Sequence, residues 1–456
     1  MNRPLWADIH NHNGVGYGRG EPERSYEIAR GVLLDAYCFT PHGLWHDLPA
    51  GDRRMVDFHA EGFERVRSSW ERVRTLAEAR NAPGEFVSLL GFEWHSSRHG
   101  DYHVIFPGGE GEICAAGSLA ELQAFVRERG ALMIPHHLAY NSGWRGLDWE
   151  GLDAGLSPVV CVFSEHGCSA ESEFGAPMTL HSMGGSERSQ TYLERLKRGL
   201  LAGAVASTDN HWGHPGSYGE GLAGIWAGEL SRAGVLDALR RRHTYAVTGD
   251  RIFLQVRMAD GLMGDLLDSG CDRTLRCSVR SLGEIDYVRV IKNGRAAHSL
   301  LPPESREGDS VHTVRVDFGW GAMESREVTD WLVSARVEGG RIAGVFPCFA
   351  GGGGSIEKVN RVTETGDDSV RFEAYTSRAN SRAQSGLVLR LEADASARVE
   401  VDAEALWNGS RCGCRLGAAL GQLRSRDEWA AISEVFSAPR MRLGHCHGES
   451  ETDVEF

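Results

Sequence analysis

Six apolar segments in the first half of the chain end in, or run directly beside, an imidazole or a carboxylate. That recurrence constrains the fold more than any other feature. The first is Asp8-Ile9-His10-Asn11-His12, read as a strand in which residues two apart project to the same face, so both imidazoles can reach one ion. A lone His-x-His is a common accident. Five further segments follow it: Phe39-Thr40-Pro41-His42, Leu90-Gly91-Phe92-Glu93, His103 before Val104-Ile105-Phe106, Ile134-Pro135-His136-His137, and Ala206-Ser207-Thr208-Asp209-Asn210-His211. Repetition of that kind marks the rim of a barrel built from strands and crossover helices.

Bulk properties exclude several classes. At 456 residues the chain exceeds the size at which one core stops growing, so two domains are expected. No apolar run approaches the roughly 20 residues that span a bilayer. The start, Met1 to Trp6, has no apolar region of a signal peptide, which makes a cytoplasmic location the expectation. A formal charge of -14, with no Lys/Arg run, argues against a nucleic-acid partner. The ten cysteines follow no framework of spacings and are expected to be reduced, mostly buried thiols. Lysine is confined to Lys197, Lys292 and Lys358, a composition bias from which no function is read.

Residues 1–250 alternate short apolar strands with amphipathic helices, which implies parallel strands with helical crossovers. Predicted helices start at Glu21-Pro22-Glu23, run from about Val56 to Arg80 with Phe63, Val66, Trp70, Val73 and Leu76 at helical spacing, and run from Leu119 to Arg129 after the cap Ser118. Two shorter ones are placed at Tyr192 to Arg198 and Val235 to Arg242. A polar, Gly-rich stretch from Cys168 to Ser189 reads as an active-site loop or lid. Residues 251–456 change character. β-branched runs bounded by turn signals, with Asn293-Gly294 as a hairpin turn, predict an antiparallel β-sandwich, a short helical piece over Glu428 to Phe436, and a polar tail. Gly351 to Gly354 reads as a flexible turn. Cys412-Gly413-Cys414 with His445-Cys446-His447 is a zinc pattern of unsuitable spacing, and ordinary thiols and a polar tail are the preferred reading.

Singly, each candidate ligand has a plain structural explanation: a buried His usually donates to a carbonyl, and a strand-end Glu is usually solvated or paired with Arg. Together, His, Glu and Asp at the ends of successive strands suit Zn, Mn or Fe, and a Glu can bridge two ions.

The ordered set His10-x-His12, His42-Gly43, Gly91-Phe92-Glu93-Trp94, His103, Pro135-His136-His137 and Ser207-Thr208-Asp209-Asn210-His211 resembles the PHP (polymerase and histidinol phosphatase) superfamily, in a branch with an appended β-domain. The likeness covers about residues 6 to 250 and, more loosely, Tyr245 to Gly249 and Ile291 to Gly294. It implies an α/β fold, a distorted (β/α)7 PHP-type barrel followed by an antiparallel β-sandwich, with two to three divalent ions. It further implies that His10, His12, Glu93 and Asp209 hold one ion, that Glu93 bridges to a second completed by His103 and His136, with His137 as the alternative, and that His42 and His211 hold a third.

Two departures stand out. Thr40-Pro41-His42 replaces the usual Thr-Asp-His, and the loop Asn13 to Arg19 has no acidic or imidazole ligand. Two imidazoles hold a divalent ion weakly, so two tight ions and a loose or absent third are expected. Two close ions lower the pKa of a shared water, and the expected activity is a phosphoesterase on a small phosphorylated substrate. His166 and Glu165 are acid/base or substitute ligands. Arg98 and Arg145, with Arg19, lie in loops near the expected mouth and are candidates to stabilise phosphoryl charge, although each alone reads as a surface residue. A hydrolase or lyase acting on an amide, lactone or glycosidic bond is the alternative, and a noncatalytic metal- or glycan-binding protein a third reading.

Overall fold

The structure is a computed structural model that describes residues 3–171, 187–268, 270, 273–283, 285, 287–300, 310–319, 328–351, 358–377, 384–424, 426–434, 438–445 and 451–455. The first half contains β1 (Leu5–Asp8), α1 (Pro22–Gly31), β2 (Ala36–Phe39), β3 (His42–Trp45), α2 (Arg53–Ala79), β4 (Val87–His95), β5 (Asp101–Ile105), α3 (Leu119–Glu128) and β6 (Leu132–His136). It continues through β7 (Val159–Ser164), β8 (Gly167–Cys168), α4 (Tyr192–Leu196), β9 (Gly203–Ala206), β10 (Leu222–Ile225), α5 (Arg232–Arg240) and β11 (Thr244–Val247).

Helix boundaries follow their chemistry. Pro22 opens α1, where a missing N–H costs nothing. Asp52 caps α2 by accepting from the Arg54 amide, and Ser118 caps α3 by accepting from Glu121. As the helical spacing predicts, α2 buries Phe63, Val66 and Val73, while Trp70 and Leu76 pack at the margin.

One sheet has the order β11-β10-β1-β2-β4-β5-β6, with β3 paired to β4, and a second joins β8, β7 and β9. Alternate residues from both, among them Leu5, Ala7, Cys38, Leu89, Ile134, Cys161, Val205 and Ile225, share one apolar core with Val235, Leu236 and Leu239 of α5. The larger sheet therefore curls as a half-barrel, and the three-stranded sheet faces the same interior. Thr244 Oγ1 donates to the Ala204 carbonyl at 3.0 Å, tying β11 to β9.

Strand direction corrects the expectation of a parallel sheet. β1, β2 and β4 are parallel, but β5 is antiparallel to both β4 and β6, and β10 is antiparallel to β1 and β11. The physical reason is the short Ser96 to Gly100 turn, which has no room for a crossover helix and sends the chain straight back. The first strand also ends at Asp8, so His10 and His12 lie beyond it rather than within it.

The second half is antiparallel throughout. β12 (Phe253–Met258), β13 (Gly261–Leu262), β14 (Leu275–Arg280), β15 (Val288–Lys292), β16 (Arg295–Leu300), β17 (Val311–Gly319), β18 (Val328–Cys348), β19 (Arg361–Thr365), β20 (Ser369–Ser377), β21 (Gln384–Trp407), β22 (Ser410–Ala419), β23 (Glu428–Ala431), β24 (Arg440–His445) and β25 (Glu451–Glu455) form a four-stranded sheet, a hairpin and an eight-stranded sheet. Asn293-Gly294 turns the β15–β16 hairpin as predicted. The helical piece expected from Glu428 is instead β23, because the edge of β24 offers Glu428 to Ala431 a row of backbone partners.

The halves pack intimately. Trp226 Nε1 donates to the Leu254 carbonyl, Arg24 Nε to that of Lys358, and Arg251 to those of Val32 and Leu33. His214 Nε2 lies 2.9 Å from Asn360 Nδ2, whose Oδ1 accepts from the Tyr375 amide. Gly351 presses on that ring so closely that a Cβ would collide with it, and its amide donates to Ser217 Oγ, so this glycine is a buried packing residue rather than part of a flexible turn. The other glycines of that run lie outside the described residues, as do Cys446 and His447. Cys414 Sγ sits 3.4 Å from Met441 Sδ, and His445 beside His312. The eight described cysteines are all free and six are buried. Among the described residues, no helix is long and apolar enough to cross a membrane.

Candidate metal centre

Strand register assembles the centre. His42 on β3 is paired with Glu93 on β4, and Glu93 with His103 on β5, so the three stand in one row. Asp101 on β5 is paired with His136 on β6. The segment after β1 is held in place by the opposite loop: the Asp209 amide donates to the His10 carbonyl and the His12 amide to that of Asn210. Asp209 and His137 adopt φ values of +53°, in the left-handed region where a non-glycine residue is strained. Their conformation turns both side chains toward the cluster.

Glu93 is the hub. Its Oε1 lies 2.8 Å from His136 Nε2 and 3.4 Å from His95 Nδ1, and its Oε2 lies 3.3 Å from His12 Nε2 and 3.5 Å from His42 Nε2. Asp209 Oδ1 is 3.0 Å from His12 Nε2 and 3.3 Å from His10 Nε2, and its Oδ2 is 3.3 Å from His137 Nε2. His10, His12, His42, Glu93, His95, His103, His136 and Asp209 are all buried. His166 and Glu165 sit at the mouth: His166 Nε2 is 3.7 Å from Asp209 Oδ2 and from Glu165 Oε1, and His211 Nδ1 is 3.5 Å from that same oxygen.

Close as these atoms are, many make no hydrogen bond. His10 Nε2, His95 Nδ1, Glu93 Oε2, Asp209 Oδ2 and both ring nitrogens of His12, His103 and His136 are buried without one. Separations near 3 Å without hydrogen-bond alignment mean that the groups surround shared points instead of pairing with each other. Each orphaned buried polar atom costs roughly 1–3 kcal/mol, so a cluster of this size is a costly feature of the ion-free fold. Cations at those points would satisfy it. Ligand atoms within 4.8 Å of one another gather His10, His103 and His136; His10, His12 and Asp209; His12, His42 and His211; His42, Glu93 and His95; and Asp101, His136 and His137. Imidazole and carboxylate donors in that mixture suit Zn, Mn or Fe.

Electrostatics keep most of the donor set in its ligating form, with Glu93 and His211 the two departures. Burial, then the neighbouring imidazoles, holds His12, His42, His103 and His136 well below the ordinary imidazole pKa, so they stand as free bases. Burial also lowers His166, and pushes His137 down to about 3. Burial opposes ionisation of Asp209, yet His10 and His166 outweigh it and hold the carboxyl well below its usual range. Burial, followed by Asp209 and Asp101, raises Glu93 well above its usual range. His211 goes up against its burial, through Glu165 and Asp209.

The structure brings together every imidazole and carboxylate expected at the site. It places both His136 and His137 in the cluster, His136 beside Glu93 and His137 beside Asp209. Two arginines fall differently. Arg98 is exposed and meets Asp47 only through its amide, because its loop turns outward at the β4–β5 hairpin. Arg19 is exposed over Trp212. Arg145, which reads as a surface loop residue, is buried: Nε and Nη2 reach Asp101 Oδ2 at 2.6 and 2.5 Å. Asp101 Oδ1 in turn faces His95 Nδ1 at 3.3 Å. The sequence alone assigns no ligand role to Asp101 or His95. Their signal was the period of two, since Glu93-x-His95 and Asp101-x-His103 repeat the spacing of His10-x-His12. Of the loop from Cys168 to Ser189, residues 172–186 lie outside the described part.

A family model described as "Protein of unknown function (DUF3604)" matches residues 169–270. An uncharacterized protein of Chlamydia pneumoniae is 24% identical over 278 residues, 55% of this chain and 44% of the relative. An uncharacterized protein of Chlamydia muridarum is 26% identical over 246 residues, 49% of this chain and 39% of the relative. The chain spans less than half the length of these curated relatives. Among solved structures, a two-domain protein from Bacteroides vulgatus containing a predicted PHP-like metal-dependent phosphoesterase aligns over 91% of this chain and 95% of that one, with 11% sequence identity and a TM-score of 0.36.

Proposed function

We propose that the chain is a metal-dependent phosphoesterase of PHP type, acting on a small phosphorylated substrate at the mouth of the curled sheet. The observation that carries this reading is the set of buried, orphaned ligand atoms around Glu93. In this reading the two N-terminal sheets form the distorted barrel, the chain divides near residue 250, and the antiparallel half lies outside the chemistry.

His10, His12, Asp209 and Glu93 would hold one ion, and Glu93, His103 and His136 a second. Bound there, two divalent ions would supply Lewis-acid stabilisation of phosphoryl charge and make a water acidic near neutral pH. The chain's own residues do the rest. His166 is held neutral by burial, so its Nε2, 3.7 Å from Asp209 Oδ2, is fit to accept a proton at the mouth. Glu165 holds the His211 ring and favours its protonated form, a suitable donor toward a leaving oxygen. Arg145 is committed to Asp101, which fixes the wall behind His95 and leaves phosphoryl charge to the ions.

That commitment favours one second reading, a metal-dependent hydrolase or lyase acting on an amide, lactone or glycosidic bond. A screen of phosphomonoesters and phosphodiesters beside those three classes separates the two. Turnover of a phosphoester that a chelator abolishes is the expected result, and turnover confined to another class overturns the first reading.

A further inference from the structure

We propose that His95 completes a third ion site with His42 and Glu93, so that three protein ligands stand where the sequence offers only the imidazoles of His42 and His211. The proposal rests on the metal-centre reading above and deepens it.

Three observations converge. The three residues offer ligand atoms within 4.8 Å of one another. His95 is 1% exposed and its Nδ1 makes no hydrogen bond, although it faces Glu93 Oε1 at 3.4 Å and Asp101 Oδ1 at 3.3 Å. The other nitrogen, Nε2, is engaged by Tyr17 Oη at 3.4 Å. One ring nitrogen fixed by a neighbour and the other aimed at a shared point is the usual arrangement of a metal-bound imidazole.

Tyr17 gives the ligand-poor loop a role. It supplies no donor to an ion, but its ring stacks on that of His42, with centroids 3.4 Å apart and planes at 21°, while its hydroxyl meets His95. It thus orients both imidazoles of the proposed site. Beside His42 also lie His12, with ring centroids 3.9 Å apart, and His211, which is 29% exposed and whose Nδ1 is engaged with the Asp209 carbonyl at 2.9 Å and Glu165 at 3.5 Å. Two neutral imidazoles and a carboxylate make a three-ligand site with an open position, and such sites retain a divalent ion.

Metal counting by mass spectrometry on the full chain, loaded with Mn²⁺ or Zn²⁺ and dialysed against a mild chelator, tests this. Wild type should retain three ions, and His95→Ala and His95→Gln two each, with both ion-free variants still unfolding cooperatively. Tyr17→Phe, which removes no ligand but takes away the hydroxyl at His95 Nε2, should weaken the third ion by roughly 10- to 100-fold, and it keeps the proposal open to refutation if neither His95 variant folds. Two ions in wild type overturn the proposal, as do three in a folded His95 variant or an unaltered third ion in Tyr17→Phe. Loss of an ion from His211→Ala while His95→Gln keeps three assigns the ion to His12, His42 and His211 instead. The count needs no substrate, so three ions without phosphoester turnover would sink the functional reading and leave this one standing.

Discussion

Glu93 Oε1 lies 2.8 Å from His136 Nε2, across the intervening strand that carries His103. A single carboxylate thereby faces imidazoles from β3, from the segment after β1, from its own strand and from β6. Glu93→Gln keeps the shape and removes the charge. Groups that merely orient ligands are worth roughly 10- to 100-fold, so loss of this one is expected to lower activity by at least about 100-fold and to reduce bound metal while the fold persists. Near-normal turnover in a folded Glu93→Gln protein contradicts its place as the hub.

Thr40 Oγ1 is 2.7 Å from His10 Nδ1, which leaves Nε2 free to face the cluster. Thr40→Val removes that support at almost constant volume. Metal affinity, measured by competition with a chromogenic chelator, should fall by roughly 10- to 100-fold. An unchanged affinity would mean that packing alone orients His10.

Arg145 and Asp101 are a buried pair, with side-chain exposures of 7% and 0%. Removing one partner of such a pair strands the other charge at a cost of about 3–5 kcal/mol. Arg145→Met should therefore destabilise the ion-free protein by about that much in urea unfolding. A loss under 1 kcal/mol would show that Asp101 is not held as a charge.

His214, fully buried between the two halves, tests the packing without touching the centre. Burial lowers its pKa to about 3 in the folded protein, against about 6.5 unfolded. Between those values the unfolded chain binds a proton that the folded chain refuses, so stability falls as pH drops below about 6.5, by about 1.4 kcal/mol per unit. His214→Gln should remove that share of the slope, read from urea midpoints between pH 7 and pH 5. Identical slopes would show that His214 protonates as readily folded as unfolded.

How far the sequence carried can be read from particular residues. His10, His12, Glu93, His103, His136 and Asp209 are legible because each closes or flanks a short apolar run, and strand geometry leaves few places for them to go. The reversed direction of β5 is not, since apolar runs look alike in either direction and only the brevity of the Ser96 to Gly100 turn hints at it. Arg145 is written as a loop cation, and only the burial of Asp101 shows why it is inside. Glu428 to Ala431 carries too little pattern to reveal that it completes a sheet edge.

The central claim is that the orphaned ligands around Glu93 exist to hold ions. Anomalous diffraction at the metal edges, from crystals of the full chain grown without chelator, tests it most directly. The account predicts peaks among His10, His12, Asp209 and Glu93 and among Glu93, His103 and His136. Well-ordered crystals with no anomalous peak near Glu93 after soaking in Mn²⁺ and Zn²⁺ would contradict it.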